Sequence, residues 1–239
     1  MKRRILTLGV IFAISYIFMC AGTIYDNSRI EKIKGTNWRG GEAEKRQGIP
    51  LESDWKLRLV DSSHPLPEDY DIVPVRLKNN QSVDERCYPA LQEMMDDCRK
   101  AGGSPLICSS YRSFEKQESL YRKKVNRLMT EGYSVDKAKK EAATQVAAPG
   151  TSEHQLGLAV DIVSIHNQRL DESQEKTMEQ KWLMKNSWKY GFILRYPLGK
   201  SKITGIIYEP WHYRYVGKKA AKEIHKQGLC LEEYLQHTF

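Results

Sequence analysis

No two of the five cysteines, Cys20, Cys87, Cys98, Cys108 and Cys230, form a C-x-x-C pair. That excludes a thiolate zinc motif and leaves free buried thiols as the expectation for an odd number. Cys87, Leu91, Met94 and Cys98 share one face of a helix predicted over residues 85–99. Residues 11 apart on one helix are separated by about 16 Å, so Cys87 and Cys98 cannot pair with each other. A Cys98–Cys108 bridge stays open. Internal repeats are also missing, and the chain past residue 50 has little net charge. The first 50 residues hold nine Lys and Arg against four Asp and Glu, so +5 of the formal +8 lies there and +3 remains for the rest. Nucleic acid is therefore not an expected partner, whereas the basic N-terminal part suits anionic lipid or an acidic wall polymer, or simply solvates itself.

The chain opens Met1-Lys2-Arg3-Arg4 and then runs apolar from Ile5 to Ala21, interrupted only by Thr7, Gly9 and Ser15. Because no small-x-small cleavage site follows, the expectation is a retained single-pass signal anchor over residues 1–25 with its N-terminus cytoplasmic. Lipidation at Cys20 is disfavoured by the bulky Met19 before it. Residues 26–52 are polar and glycine-containing, without apolar periodicity, and read as a tether. Residues 53–239 are long enough for one domain with a substantial core.

What is present is concentrated in two segments. Ser152-Glu153-His154-Gln155-Leu156-Gly157-Leu158-Ala159-Val160-Asp161 and Glu209-Pro210-Trp211-His212 together supply two imidazoles and two carboxylates, which suit three zinc ligands and a separate base. The fixed residues Ser152, His154, Gly157, Ala159 and Asp161 would coincide by chance on the order of once in ten thousand chains of this size. Asp161 interrupts the apolar run Leu158-Ala159-Val160-Asp161-Ile162-Val163, predicted as a buried strand, where a carboxylate costs several kcal/mol unless it is paired or bound to metal. A structural salt bridge is the competing account of Asp161. His64, His166, His225 and His237 have no such context and read as ordinary polar residues.

These segments, with Ser109-Ser110-Tyr111-Arg112-Ser113 and Glu209-Pro210-Trp211-His212-Tyr213-Arg214, resemble the VanY-type D-alanyl-D-alanine carboxypeptidases, zinc peptidases that trim peptidoglycan stem peptides. The likeness runs from about Leu57 to Leu235. It implies one Zn2+ per chain held by His154, Asp161 and His212, Glu209 as the catalytic base, and Arg112, Gln117 and Ser152 lining the substrate pocket. It implies a D,D-carboxypeptidase acting on peptidoglycan stem peptides; with the N-terminal anchor, the catalytic domain is expected as a monomer on the extracytoplasmic side of the membrane. An L,D-carboxypeptidase or endopeptidase on the same polymer, and a zinc-containing wall-binding module without catalysis, are the alternatives; Glu209 speaks against the last, since a pure binder needs no base.

Residue chemistry adds to this. Arg112 lies between a short apolar run and a predicted helix, at a turn where a guanidinium could anchor a terminal carboxylate. Gln117 on spacing alone is equally well a solvated helix residue, and a turn or cap role is the lesser alternative for Ser152. Glu209 and His212 are three apart, so a regular strand would point them to opposite faces. With Pro210 between them, a bend or bulge is expected that turns both toward one metal and sends Trp211 into the core. Helices are predicted over 114–131, 135–146, 178–190, 218–227 and 231–237, and strands over 56–60, 106–109, 158–163, 192–196, 203–208 and 211–216. The fold class is α+β: a single domain whose small, largely antiparallel sheet carries the zinc site, with helices around it, preceded by one transmembrane segment.

Overall fold

The computed structural model describes residues 54–67 and 69–237. A single turn of 3-10 helix, Trp55–Leu57, leads to a short hairpin of β1 (Pro74–Arg76) and β2 (Ser82–Asp84). Next come α1 (Tyr88–Lys100), β3 (Pro105–Ser109), α2 (Phe114–Thr130) and α3 (Val135–Ala143). The second half holds β4 (Ala159–Ser164), α4 (Met178–Asn186), β5 (Phe192–Leu194), α5 (Ser201–Thr204), β6 (His212–Tyr215), α6 (Lys218–Gln227) and α7 (Leu231–His237). Strands β3, β4, β6 and β5 form one sheet in that order, antiparallel throughout.

Alternation along the central strand β4 separates core from site. Val160 and Ile162 join Leu91, Met94, Ile107, Leu183, Phe192 and Tyr213 in the main core cluster, while Asp161 between them points to the opposite face. Helix α1 starts with Pro89 in its first turn, where the missing N–H costs nothing, and packs Leu91, Met94, Met95 and Cys98 inward. Helix α2 is capped by the Ser113 hydroxyl, which accepts from Lys116 N, and packs Val125 and Leu128 against Ala138 and Ala142 of α3. Helices α6 and α7 close a further apolar cluster over Ile193 and Val216.

Gly157, at φ 74°, is required by a close approach: a Cβ there would lie 2.8 Å from Ile72 Cδ1 and 3.2 Å from Asp84 Cβ. Its carbonyl accepts from Asp84 N, tying the segment before β4 to the β1–β2 hairpin.

The α+β class, the small antiparallel sheet and the surrounding helices agree with expectation, and α6 and α7 fall on their predicted spans. Two predicted strands do not form. Residues 56–60 hold the 3-10 turn Trp55–Leu57 instead. Residues 203–208 finish α5, pass Gly205 in the left-handed region and continue as a loop; Ile203 and Ile207 are 45% and 41% exposed, so their apolar character is not that of a strand packed on the core. The helix predicted over 178–190 tightens to 3-10 geometry at Ser187–Tyr190. The Cys98–Cys108 bridge is not formed: Cys87, Cys98, Cys108 and Cys230 are free thiols. The transmembrane anchor at 1–25 and the tether at 26–52 lie outside the described residues, among which no helix is long and apolar enough to cross a membrane.

Candidate active site

Register brings the two motifs together. Asp161 on β4 sits directly opposite His212 at the start of β6, so the two side chains leave the same face as close neighbours. Glu209 reaches the same point through a turn immediately before β6, in which His212 N donates to Glu209 O at 3.2 Å. The bend anticipated at Glu209-Pro210 is this turn. Trp211 is buried among the core hydrophobics, as expected, and it also lines the site cavity.

His154 comes from the overlapping turns between Ser152 and Gly157. Its Nδ1–H donates to the Ser110 carbonyl at 2.8 Å, which fixes the tautomer and presents Nε2 to Asp161 Oδ2 at 3.3 Å. His212 is turned the other way: Nδ1 lies 3.2 Å from Asp161 Oδ1 and 3.6 Å from Glu209 Oε2. One ligand atom from each of His154, Asp161 and His212 lies within 4.8 Å of the others, all three side chains being buried.

Electrostatics fit a cation at this point. Burial and the nearby Arg112 push His154 down to about 4, so it is neutral near pH 7 with a free lone pair. Burial also opposes charge on His212, but the facing carboxylates of Asp161 and Glu153 override it and hold the ring up at about 9. Asp161 is pulled well below the usual carboxylate range by the two imidazoles against the cost of burial. Glu209 is pushed up to about 8, chiefly by burial, with Asp161 adding to the effect. Buried Asp161 Oδ1 has no hydrogen-bond partner. An unsatisfied carboxylate oxygen between two imidazoles is the donor set that zinc takes, N and O ligands with a position left over.

Arg112 forms the adjoining wall. Its guanidinium donates to Ser109 Oγ, to Gln117 Oε1 at 3.2 Å and to Asp161 Oδ2 at 3.1 Å. Gln117 is fully buried and does not line the cavity; it holds Arg112 from behind while its amide donates to the Ala147 carbonyl at 2.7 Å. Neither a solvated helix residue nor a wall of the pocket, it is a brace. Ser152 lines the cavity, which measures about 320 Å³ and also contains His154, Asp161, Glu209 and His212.

The family model for VanY, D-alanyl-D-alanine carboxypeptidase, matches residues 80–218, more than half of the chain and every site residue above. This chain belongs to the VanY family. A D-alanyl-D-alanine carboxypeptidase of Enterococcus faecalis is 47% identical over 193 residues, covering 80% of this chain and 69% of that protein. A solved structure of VanYB in complex with D-alanine-D-alanine superposes with a TM-score of 0.71 at 47% identity, covering 76% of this chain and 98% of the other. A vancomycin-resistance D,D-pentapeptidase VanY in complex with Zn(II) matches with a TM-score of 0.69 at 46% identity, covering 76% and 99%. The protein is thus a VanY-type zinc metallopeptidase, with zinc as its cofactor.

Sequence reasoning assigned no role to three residues that hold this VanY-type site together. Glu153 Oε1 accepts from Arg195 Nε and Arg214 Nη1, each at 2.7 Å, and its Oε2 faces His212 Nε2 at 3.5 Å. Arg195 also makes a two-pronged pair with Glu232, and Arg214 donates to the carbonyls of Lys56 and Arg58. Glu153, Arg195 and Arg214 are all at most 1% exposed. A signal existed, since Arg195 and Arg214 sit in apolar, strand-like runs where an unpaired charge is untenable.

Proposed function

We propose that the protein is a D,D-carboxypeptidase that removes the terminal D-Ala from peptidoglycan stem peptides, with His154 Nε2, Asp161 and His212 Nδ1 as zinc ligands. The observation that carries this reading is the convergence of those three buried donors within 4.8 Å, with Glu209 3.6 Å from His212 and Arg112 on the adjoining wall. When bound, zinc supplies Lewis acidity, acidifying water and drawing charge from the attacked carbonyl. Glu209 takes the proton of the attacking water at a carboxylate oxygen and hands it to the nitrogen of the departing D-Ala, a role worth about a hundredfold to ten-thousandfold. Burial supports that role by raising the affinity of Glu209 for the proton it carries. Arg112 meets the terminal carboxylate with parallel N–H donors, and Ser109 Oγ and Gln117 Oε1 hold its plane while it does so. Ser152 offers a hydroxyl to the substrate backbone at the cavity wall.

We place the catalytic domain on the extracytoplasmic side of the cell membrane, as a monomer anchored through residues 1–25, because its substrate lies there and the apolar run follows a basic start. Incubation of the zinc-loaded protein with a stem pentapeptide, followed by liquid chromatography, tests the activity. Tetrapeptide plus free D-Ala, abolished by a chelator, is expected. A tripeptide formed from a tetrapeptide substrate alone would mark an L,D-carboxypeptidase, and no cleavage of either would remove the reading.

A further inference from the structure

The cavity holds a second cation that the proposed chemistry does not use. Lys124, on α2, lines the same wall system as His154, Glu209 and Arg112. It is half-buried, and its ammonium donates to Gln145 Oε1, itself a cavity residue. Among the described residues Lys124 makes no ion pair. This is unusual for a lysine on a wall lined with carboxylates, and it leaves two of its three N–H donors for something that enters the cavity. Burial and the neighbouring Arg127 lower its proton affinity against the longer-range pull of Glu131 and Glu141, and an anion bound in the cavity would raise it.

Helix geometry sets where that anion must be. Gln117, Leu120 and Lys124 fall at spacings of three and four on one face of α2, and Gln117 is the residue that braces Arg112. Seven residues of helix rise about 10 Å, so Lys124 stands about two turns along α2 from the residue that braces the Arg112 anchor. An extended peptide advances about 3.3–3.6 Å per residue, which puts the matching acceptor two to three residues before the C-terminal carboxylate.

We infer that Lys124 is a specificity-determining residue that recognises a second carboxylate on the stem peptide, two to three residues upstream of the carboxylate held by Arg112. This rests on the proposed carboxypeptidase reading. Two positions of a stem peptide supply that chemistry: the α-carboxylate of a γ-linked D-Glu at the second residue, and the side-chain carboxylate of a diaminopimelate at the third. Both are removed by amidation.

Three pentapeptides ending in D-Ala-D-Ala separate the sources: one with γ-D-Glu and L-Lys, one with γ-D-isoglutamine and L-Lys, and one with γ-D-isoglutamine and diaminopimelate. Wild-type protein is expected to cleave one of the carboxylate-bearing peptides about tenfold better in kcat/KM than the isoglutamine-lysine peptide, which lacks both upstream carboxylates, the size of one charge-assisted contact. Lys124→Met should bring that ratio to about one, and Lys124→Arg should keep most of it, an effect that loss of folding cannot imitate because each ratio is internal to one variant. Equal rates on all three peptides by wild type, or an undiminished ratio in Lys124→Met, would overturn the assignment while leaving the carboxypeptidase reading intact. Failure of wild type to cleave any of the three would defeat both.

Discussion

Glu153→Gln changes one oxygen to nitrogen in a side chain that is 1% exposed, and the structure assigns it two separable effects. The first is on stability. Glu153 is the anion between the buried guanidiniums of Arg195 and Arg214, so neutralising it leaves that pair compensated only by Glu232. Breaking a buried ion pair by removing one charge costs about 3–5 kcal/mol. At about 2–4 °C per kcal/mol for a domain of this size, the midpoint of thermal unfolding should fall by about 6–20 °C. The second effect is on the metal. Glu153 Oε2 faces His212 Nε2 at 3.5 Å and favours a proton there, leaving Nδ1 free toward Asp161. With Oε1 of the glutamine still drawn to the arginines, its NH2 would face Nε2, favouring the tautomer with the proton on Nδ1 and so blocking that nitrogen as a ligand. Loss of such an orienting partner typically weakens metal binding about tenfold to a hundredfold. Thermal unfolding by calorimetry and a zinc competition titration with a chromophoric chelator measure the two effects. A midpoint within about 2 °C of wild type together with an unchanged zinc Kd would refute the buried network as the device that orients His212.

Glu209→Ala should lower D-Ala release by about a hundredfold or more while zinc content, by elemental analysis, stays at one per chain; substantial activity in the zinc-loaded variant would remove Glu209 from proton transfer. Arg112→Ala should raise KM for peptides with a free C-terminal carboxylate far more than for C-terminally amidated ones in initial-rate kinetics, and equal losses would count against the anchor. In the metal-free protein His212 titrates at about 9 and Glu209 at about 8, both raised, so both hold a proton at pH 7 and lose it as pH rises through those values. A bound dication favours the deprotonated form of each. Calorimetry in buffers of different ionisation enthalpy should therefore show release of about two protons per zinc at pH 7, declining toward zero above about pH 10; no pH dependence would show that neither group is protonated in the metal-free site.

Much of the site's layout was legible because it is written in exceptions to local rules. Asp161 interrupts an apolar strand, and the structure puts it in the middle of β4 between two core residues, directly across from His212. Arg112 was legible from its place between a strand and a helix, and α6 from its spacing alone. Other parts depend on partners distant in the chain. The β1–β2 hairpin has strands of three residues each, too short to carry a period, and is held by contacts such as Asp84 N to Gly157 O. Ile203, Ile206 and Ile207 imitate a strand but serve a helix end and a cavity rim, a distinction made only by what packs against them. Gln117 has the same pattern as an exposed helix position, and only the Ala147 carbonyl and Arg112 make it a buried brace.

The central claim is that His154, Asp161 and His212 grip a single zinc ion. Anomalous diffraction at the zinc edge from crystals of the zinc-loaded protein tests it most directly. One peak is predicted, about 2.0–2.2 Å from His154 Nε2, an Asp161 carboxylate oxygen and His212 Nδ1. A peak bound elsewhere, or one reached through the opposite nitrogen of either ring, would contradict it.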